Sequence, residues 1–421
     1  MVQILFVGAV LPESVFQDYY VGEGSRGPHA VMSVAAQKVQ LAMVHGLEAA
    51  AGRPIDIVSW LPVGYYPWYS RVYAPTREYS TVSGARLSLT SFINLPLFKQ
   101  VTQRLSVEAC VRWWASRHRA SVIVCYSAHT SALLACLAAA RKFACKVVLV
   151  LPDLPQFMDM TLGRRGIARW AKAADVKLLS RAMHRVDGVI SLTDETVTRA
   201  HLSQIPHIAI QGIVDEQGAT GSGPGASEHS AAVHEGRSVL YAGGVSEEYG
   251  VLLLLDAFKH VVGDVRLDIC GSGPAVGRVQ SDTLVDPRIR YWGALPNQVV
   301  SELERASTVL VNPRPSNSEF VSYSFPSKLL EFMMSGRPVI STVLPSIPAS
   351  YWNYVIPIRD ETPDGLAGVL NKALAEDVQE LDRIGKATRS FAVDNVGSLA
   401  QGRRLWSFMS TVARNEVHGD L

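Results

Sequence analysis

SFPSKLLEFMMSGRPVIST, residues Ser324 to Thr342, holds a complete helix-to-strand connection. Ser324 and Ser327 are of the type that caps orphan helix amides, and Pro326 falls near a helix start, where a missing N–H costs little. The spacing predicts a helix over Lys328 to Met334 that stops at Gly336, a residue suited to a left-handed C-cap. The run Pro338 to Thr342 then reads as a strand. Such a helix carries partial positive charge and free N–H groups at its start, so with Lys328 in the first turn it offers a cradle for a diphosphate. Glu331 lies one turn further in, where an ionised carboxylate accepts hydrogen bonds from both vicinal hydroxyls of a ribose. Phosphate at the tip and ribose one turn along describe a nucleotide. The alternative is a well-capped helix with a surface lysine and glutamate.

The same alternation recurs on both sides. Upstream, Ile4 to Val7, Ile55 to Ser59, Val122 to Cys125, Val147 to Leu151 and Gly188 to Leu192 are short β-branched runs, each followed by a longer helical pattern. Around the opening segment stand Val239 to Ala242, Val265 to Cys270, Ile289 to Trp292, Thr308 to Asn312 and Tyr354 to Ile358. These runs are continuously apolar, as strands buried on both faces should be, so the fold class is α/β with doubly wound parallel sheets. Between the two sets, Gln217 to Arg237 supplies glycine, serine, alanine and proline with few bulky apolar residues and reads as a loop or linker. The expected organisation is a first domain over 1–212, a linker over 213–237, a second domain over 238–390 and a terminal helix over 391–421. Leu405, Trp406, Phe408 and Met409 give that helix an apolar stripe, which packs either on the first domain or on its own.

Composition narrows the classes. At 421 residues and 48% hydrophobic, the chain suits two cores. Forty Lys and Arg against 38 Asp and Glu leave a net charge of +2, which provides no global field for nucleic acid. Five scattered cysteines without C-x-x-C spacing argue against a disulfide framework or zinc site and fit a cytoplasmic setting. The apolar start lacks a basic n-region and reads as a strand, and no segment reads as a membrane span.

The run VLVNPRPSNSEFVSYSFPSKLLEFMMSGRPVIST, from Val309 to Thr342, resembles the donor-site region of family 4 glycosyltransferases, especially the bacterial polysaccharide-assembly branch with NPR followed by FPSK and E. VLYAGGVSEEYGVLLLLDAF (Val239 to Phe258), LDICGSGP (Leu267 to Pro274) and IRYWGALP (Ile289 to Pro296) resemble three further blocks of that family in the same order. The resemblance implies a GT-B fold, with two Rossmann-like domains facing a cleft, and retaining transfer of a hexose from a UDP or GDP sugar. It assigns the donor to Gly243, Gly244, Gly271, Gly273, Leu295, Ser324, Phe325, Pro326, Ser327, Lys328 and Glu331, with Arg314 facing the diphosphate. Two positions depart from the family pattern. Gly244 and Tyr249 stand where many members carry arginine and lysine, which shifts charge compensation to Lys328, Arg314 and helix amides. Tyr323 stands where the first acid of the paired-glutamate motif is expected, leaving Glu319 as the candidate for the sugar hydroxyls.

The implied mechanism is front-face substitution, in which fixed cations and N–H groups stabilise the departing diphosphate, so no glycosidase-like carboxylate pair is needed. On the acceptor side, Asp153 follows a strand and either orients the acceptor hydroxyl or caps the next helix. His129 is a second candidate, alternatively a plain helix-start histidine. Arg26 lies in the glycine-rich stretch Gly22 to Ala30, a loop that would face acceptor or pyrophosphate. No metal is expected, because no D-x-D stands at the donor site, and no cofactor beyond the donor sugar nucleotide. In the basic segment Gly163 to Arg185, Arg165, Arg169 and Lys172 share one helix face. That face either touches an anionic membrane, which would suit a lipid-linked acceptor and a peripheral place on the inner plasma-membrane surface, or is simply solvated. A dehydrogenase is excluded by the lack of a tight G-x-G-x-x-G turn. The remaining alternative is a non-catalytic sugar-nucleotide-binding partner or sensor.

Overall fold

The apolar runs become strands of two sheets in the computed structural model, which describes residues 2–12, 15, 34–67, 69–96, 98–118, 121–152, 167–216, 236–317, 319–322 and 324–414. The chain divides into two units: Met1–Ile213 with Ser398–Leu421, and Val214–Gly397.

In the first unit the elements are β1 (Ile4–Gly8), α1 (Val34–Ala51), β2 (Asp56–Ser59), β3 (Tyr73–Ala74), β4 (Arg77–Ser80), β5 (Arg86–Leu89), β6 (Phe92–Ile93), α2 (Phe98–Ala115), β7 (Val122–Tyr126), α3 (Thr130–Phe143), β8 (Lys146–Leu151), α4 (Ile167–Met183), β9 (Gly188–Ser191), α5 (Asp194–Arg199) and β10 (His207–Ala209). The main sheet has the order β10-β9-β8-β7-β1-β2-β5-β4. Every residue of β1 and β7 is buried, which accounts for their central places. At the edge, β4 runs antiparallel to β5. Its Arg77, Glu78 and Ser80 are exposed, a charged edge that discourages further pairing. This hairpin and the ribbon β3–β6 were not anticipated, because their two- to four-residue strands lack the long apolar runs of the interior.

The second unit contains β11 (Arg237–Ala242), α6 (Val251–Phe258), β12 (Val265–Cys270), α7 (Val276–Val285), β13 (Ile289–Gly293), α8 (Asn297–Ala306), β14 (Val309–Asn312), α9 (Ser327–Met334), β15 (Val339–Thr342), β16 (Ile356–Ile358), α10 (Pro363–Ala375) and α11 (Val378–Val396). Its sheet is entirely parallel, in the order β13-β12-β11-β14-β15-β16. The chain builds outward from β11 through β12 and β13, then crosses to β14 on the other side. The direction of winding therefore reverses between β11 and β14, and ligands of open α/β sheets bind beyond the strand ends at such a switch point.

Boundaries differ from the sequence reading at both ends of this unit. Arg237 is the first residue of β11 and not the last of a linker. Position 390 lies inside α11, which Asp377 caps through Glu380 N–H and which continues to Val396. The final helix, α12 (Ser398–Ala413), packs on α1 of the first unit. Gly46 and Gly402 let the two backbones meet: a Cβ on Gly402 would lie 2.1 Å from the Gly46 carbonyl oxygen. Leu405, Met409 and Val412 enter that unit's core, and Gln401 Nε2 donates to the carbonyl of Ile210 at 2.9 Å. Residues 217–235, the core of the expected linker, lie outside the described residues.

Candidate functional site

The site is built where β11, β12 and β14 end. Helix α9 begins with Pro326 at its N-cap and makes no side-chain cap bond, so neither Ser324 nor Ser327 plays the capping role expected of it. Within the same unit, α10 and α11 are capped by Thr362 and Asp377. Leu329 N–H turns back to the Pro326 carbonyl at 3.0 Å, which leaves the amides of Ser327 and Lys328 as the first-turn donors for an incoming anion. Ser327 is exposed, Leu329, Leu330, Phe332 and Met333 bury the opposite face, and Gly336 ends the segment at φ 76°. Phe325 is buried and meets Tyr351 edge-on at 5.9 Å.

The two charged residues expected to divide the nucleotide between them are paired with each other. Lys328 Nζ stands 2.6 Å from Glu331 Oε2 and 3.0 Å from Glu304 Oε1. Burial depresses the Lys328 ammonium, but the carboxylates of Glu331 and Glu304 outweigh it and hold the group above the ordinary lysine value. Glu304 comes from α8, where it and Val300 form the buried face. Nearby on β12, Asp268 is almost fully buried and accepts Trp292 Nε1–H at 2.7 Å and Arg266 Nε–H at 2.9 Å. The Trp292 ring is covered by Arg290 at 3.6 Å, and the half-buried Leu295 follows on the loop after β13. Burial and then Asp268 push the Cys270 thiol up to about 12, so it stays protonated and is no nucleophile.

Sequence reasoning missed Glu304 and Asp268. The signal was present: Glu304 recurs four residues after Val300 on the apolar face of its helix, and Asp268 interrupts an apolar strand. A carboxylate in either place requires a buried partner.

The expected donor glycines separate into two kinds. A Cβ on Gly271, whose φ is 138°, would lie 1.8 Å from the Gly243 carbonyl oxygen, and one on Gly273 would lie 2.3 Å from that of Val245. Close packing of the β11 and β12 loops explains both. Gly243, by contrast, has nothing nearer than the Tyr241 hydroxyl at 3.7 Å, so its own surroundings do not demand glycine. At Gly244 a Cβ would meet the Tyr249 ring at 2.8 Å. Tyr241 donates its hydroxyl to the Gly244 carbonyl at 2.5 Å; burial, then Tyr249, raise that phenol and keep it a donor.

Arg314, on the loop after β14, is buried, and its guanidinium lies 5.6 Å from the Tyr249 ring centre. Gly250 brings this loop against the start of α6, since its Cβ would lie 1.9 Å from the Pro313 carbonyl oxygen. Arg314, Tyr249 and the Gly243–Gly244 turn are thus brought together at the switch point. Glu319 begins a short 3-10 turn, Glu319–Ser322, but its side chain lies outside the described set, as does Tyr323.

In the first unit, His129 stands at the N-cap of α3 without capping it. Its ring stacks on Trp60 at 5.3 Å, and its Nδ1 is 2.9 Å from Ser131 Oγ. It follows Ser127, whose φ of 72° is unusual for a residue with a side chain. Asp153, Arg26 and Arg165 fall outside the described residues, and so do the side chains of Arg169 and Lys172. Among the described residues no cluster of His, Cys, Asp and Glu is arranged to hold a metal. No described helix is long and apolar enough to cross a membrane.

Two sheets of this topology, each with its helices, make the GT-B fold of two Rossmann-like domains. Solved structures share it over the full chain. The Anabaena protein Alr3699/HepE in complex with UDP aligns at a TM-score of 0.60 and 14% identity, covering 97% of this chain and 100% of that one. Sucrose-phosphate synthase from Thermosynechococcus elongatus aligns at 0.63 and 14%, covering 97% and 99%. The lipopolysaccharide outer core galactosyltransferase WaaB aligns at 0.57 and 14%, covering 99% and 100%. Residues 236–376 match the family model described as "Glycosyl transferases group 1", so the second unit carries a glycosyltransferase group 1 domain. No curated protein sequence matches the chain.

Proposed function

We propose that the protein is a retaining hexosyltransferase that uses a nucleoside diphosphate sugar. The observation that carries this reading is the uncapped start of α9, with Lys328 and Glu331 in its first turns, beside the switch-point loops of a glycosyltransferase group 1 domain. The diphosphate takes the first-turn amides and Arg314, and the ribose takes Glu331. Bond breaking between the anomeric carbon and the diphosphate builds negative charge on the leaving group, which these fixed donors stabilise. The departing phosphate oxygen accepts the proton of the acceptor hydroxyl as that oxygen bonds to the anomeric carbon on the same face. Glu319 is assigned to the sugar hydroxyls, and Asp153, His129 and Arg26 to the acceptor.

UDP is the favoured base, with GDP the alternative, because the structurally similar Anabaena protein was solved with UDP and with UDP-glucose. The acceptor is a glycan, a lipid-linked sugar or a small molecule of cell-surface polysaccharide or glycoconjugate assembly in the cytoplasm. A peripheral contact with anionic lipid fits this setting: α2 exposes Phe98, Val101 and Leu105 on one face, beside Arg104 and Arg112, which share Glu108 between them and leave a net positive charge. Sedimentation with anionic vesicles tests that contact; equal pelleting with neutral vesicles or none would remove it. The main reading is tested by thermal shift with UDP- and GDP-sugars, followed by donor hydrolysis in wild type and Lys328→Ala. Stabilisation by none of them would overturn it. The lost loop cations at Gly244 and Tyr249 favour a second reading, a non-catalytic sugar-nucleotide sensor, which predicts binding without any hydrolysis or transfer.

A further inference from the structure

Glu304 is only 3% exposed, so α8 spends one of its two core positions on a carboxylate. Such a group needs a compensating charge, and the Lys328 ammonium reaches it at 3.0 Å from a different helix. That ammonium is shared: Glu331 approaches it at 2.6 Å from the next turn of α9. The two acids differ in what else they can do. Glu331 is about one-third exposed, whereas Glu304 is enclosed and can reach no ligand. A ribose that donates both hydroxyls to Glu331 competes with Lys328 for the same oxygens. The lysine then keeps its charge and place through its other partner alone.

We propose that Glu304 is the positioning residue of the donor site, the permanent counter-ion that holds Lys328 charged and in place while Glu331 turns to the ribose of a bound nucleoside diphosphate. This rests on reading α9 as the nucleotide site. Among the described residues, the groups facing Lys328 come from three elements. Glu331 and the Phe332 ring, at 5.6 Å, come from α9 and Glu304 from α8. From β12 come Cys270, held as the thiol, and Asp268, already engaged by Arg266 and Trp292. Helix α11 packs on α9, but its Arg389 lies beside Gly336 at the other end.

UDP binding to the full chain, titrated across neutral to alkaline pH, tests the role. With Glu304→Gln, burial still depresses Lys328 but one of the two opposing carboxylates is gone. The alkaline limb of UDP binding should therefore move down by about one pH unit, with binding about tenfold weaker than wild type on the alkaline side of that limb. Glu304→Asp keeps the charge, so its limb should stay in place, while its shortened reach weakens binding about threefold. A folded Glu304→Gln whose profile superposes on wild type would overturn the proposal. Should that variant not fold, unaltered UDP binding by Glu304→Asp would do the same. Wild type that binds neither UDP nor GDP would sink the nucleotide reading and this role with it. Wild type that binds, with an unmoved variant profile, would sink this role alone.

Discussion

Two lysines, one in each unit, are largely withdrawn from water and are treated in opposite ways. Lys328 is bracketed by two carboxylates that raise it above its ordinary value. Lys99, on α2 of the first unit, has no carboxylate against it among the described residues. Its ammonium donates to the Val63 carbonyl and lies 5.0 Å and 5.2 Å from the Tyr65 and Phe92 ring centres. Burial alone lowers it to about 8. On the function proposed above, the difference separates a cation kept ready for an anionic ligand from one that spans a gap between structural elements. In that proposal the charge of Lys328 is maintained by one acid that stays and one that yields to the ligand; for Lys99 a carbonyl and two aromatic faces suffice.

The largest effect that would break this contrast is at Lys328. Lys328→Ala removes the partner of a buried acid and a donor-site cation together. UDP binding should fall by about 2–4 kcal/mol, roughly 30- to 1,000-fold, and the melting temperature should fall as well because the buried Glu304 loses its lysine partner. Calorimetry of UDP binding and a thermal scan read both. A variant with wild-type affinity would mean that the helix amides and Arg314 carry the diphosphate without it.

Lys99 sharpens the comparison through pH. Between about pH 8 and the ordinary lysine value of 10.5 the folded chain has released a proton that the unfolded chain still holds, so stability should rise with pH across that window. The full rise is about 3 kcal/mol, and Lys99→Met should abolish it while stabilising the chain at neutral pH. Lys328 runs the other way: its raised value gives stability that is present below the ordinary lysine range and lost only as pH climbs through the higher folded value. Chemical denaturation of both variants at several alkaline pH values separates the two contributions. A stability curve of Lys99→Met parallel to wild type would mean that the lysine is not held neutral-prone in the native state.

How much of this was legible in the sequence depends on how far each feature rests on local pattern. The nine inner strands that read as apolar runs, such as Val122 to Cys125 and Val147 to Leu151, are buried from both sides, and that requirement is written in consecutive residues. Edge strands like Arg77–Ser80 have one free side and carry no such mark. The pairing of Lys328 with Glu304 joins residues 24 positions apart on separate helices. Spacing within one helix brought out Lys328 and Glu331 but could not show which acid lay across from them. The course of α12 was likewise undecidable from its stripe: Leu405 and Met409 would suit any apolar groove, and it is the glycine contact of Gly46 with Gly402 that fits this one.

The glycines give a prediction internal to the donor unit. Gly271→Ala drives a Cβ into the Gly243 carbonyl at a backbone angle that side chains avoid, so it should destabilise the second unit by about 2–4 kcal/mol. Gly243→Ala meets nothing closer than 3.7 Å and should fold as well as wild type, within about 0.5 kcal/mol. If the diphosphate or the transferred sugar approaches the Gly243 backbone, the added methyl stands in its way. Sugar-nucleotide binding should then weaken by about 1 kcal/mol, with the thermal transition of the unliganded protein unmoved. The signature is a loss of the ligand-induced thermal shift alone. Unchanged binding by Gly243→Ala would place the ligand away from the β11 loop and leave α9 and Arg314 as its anchors.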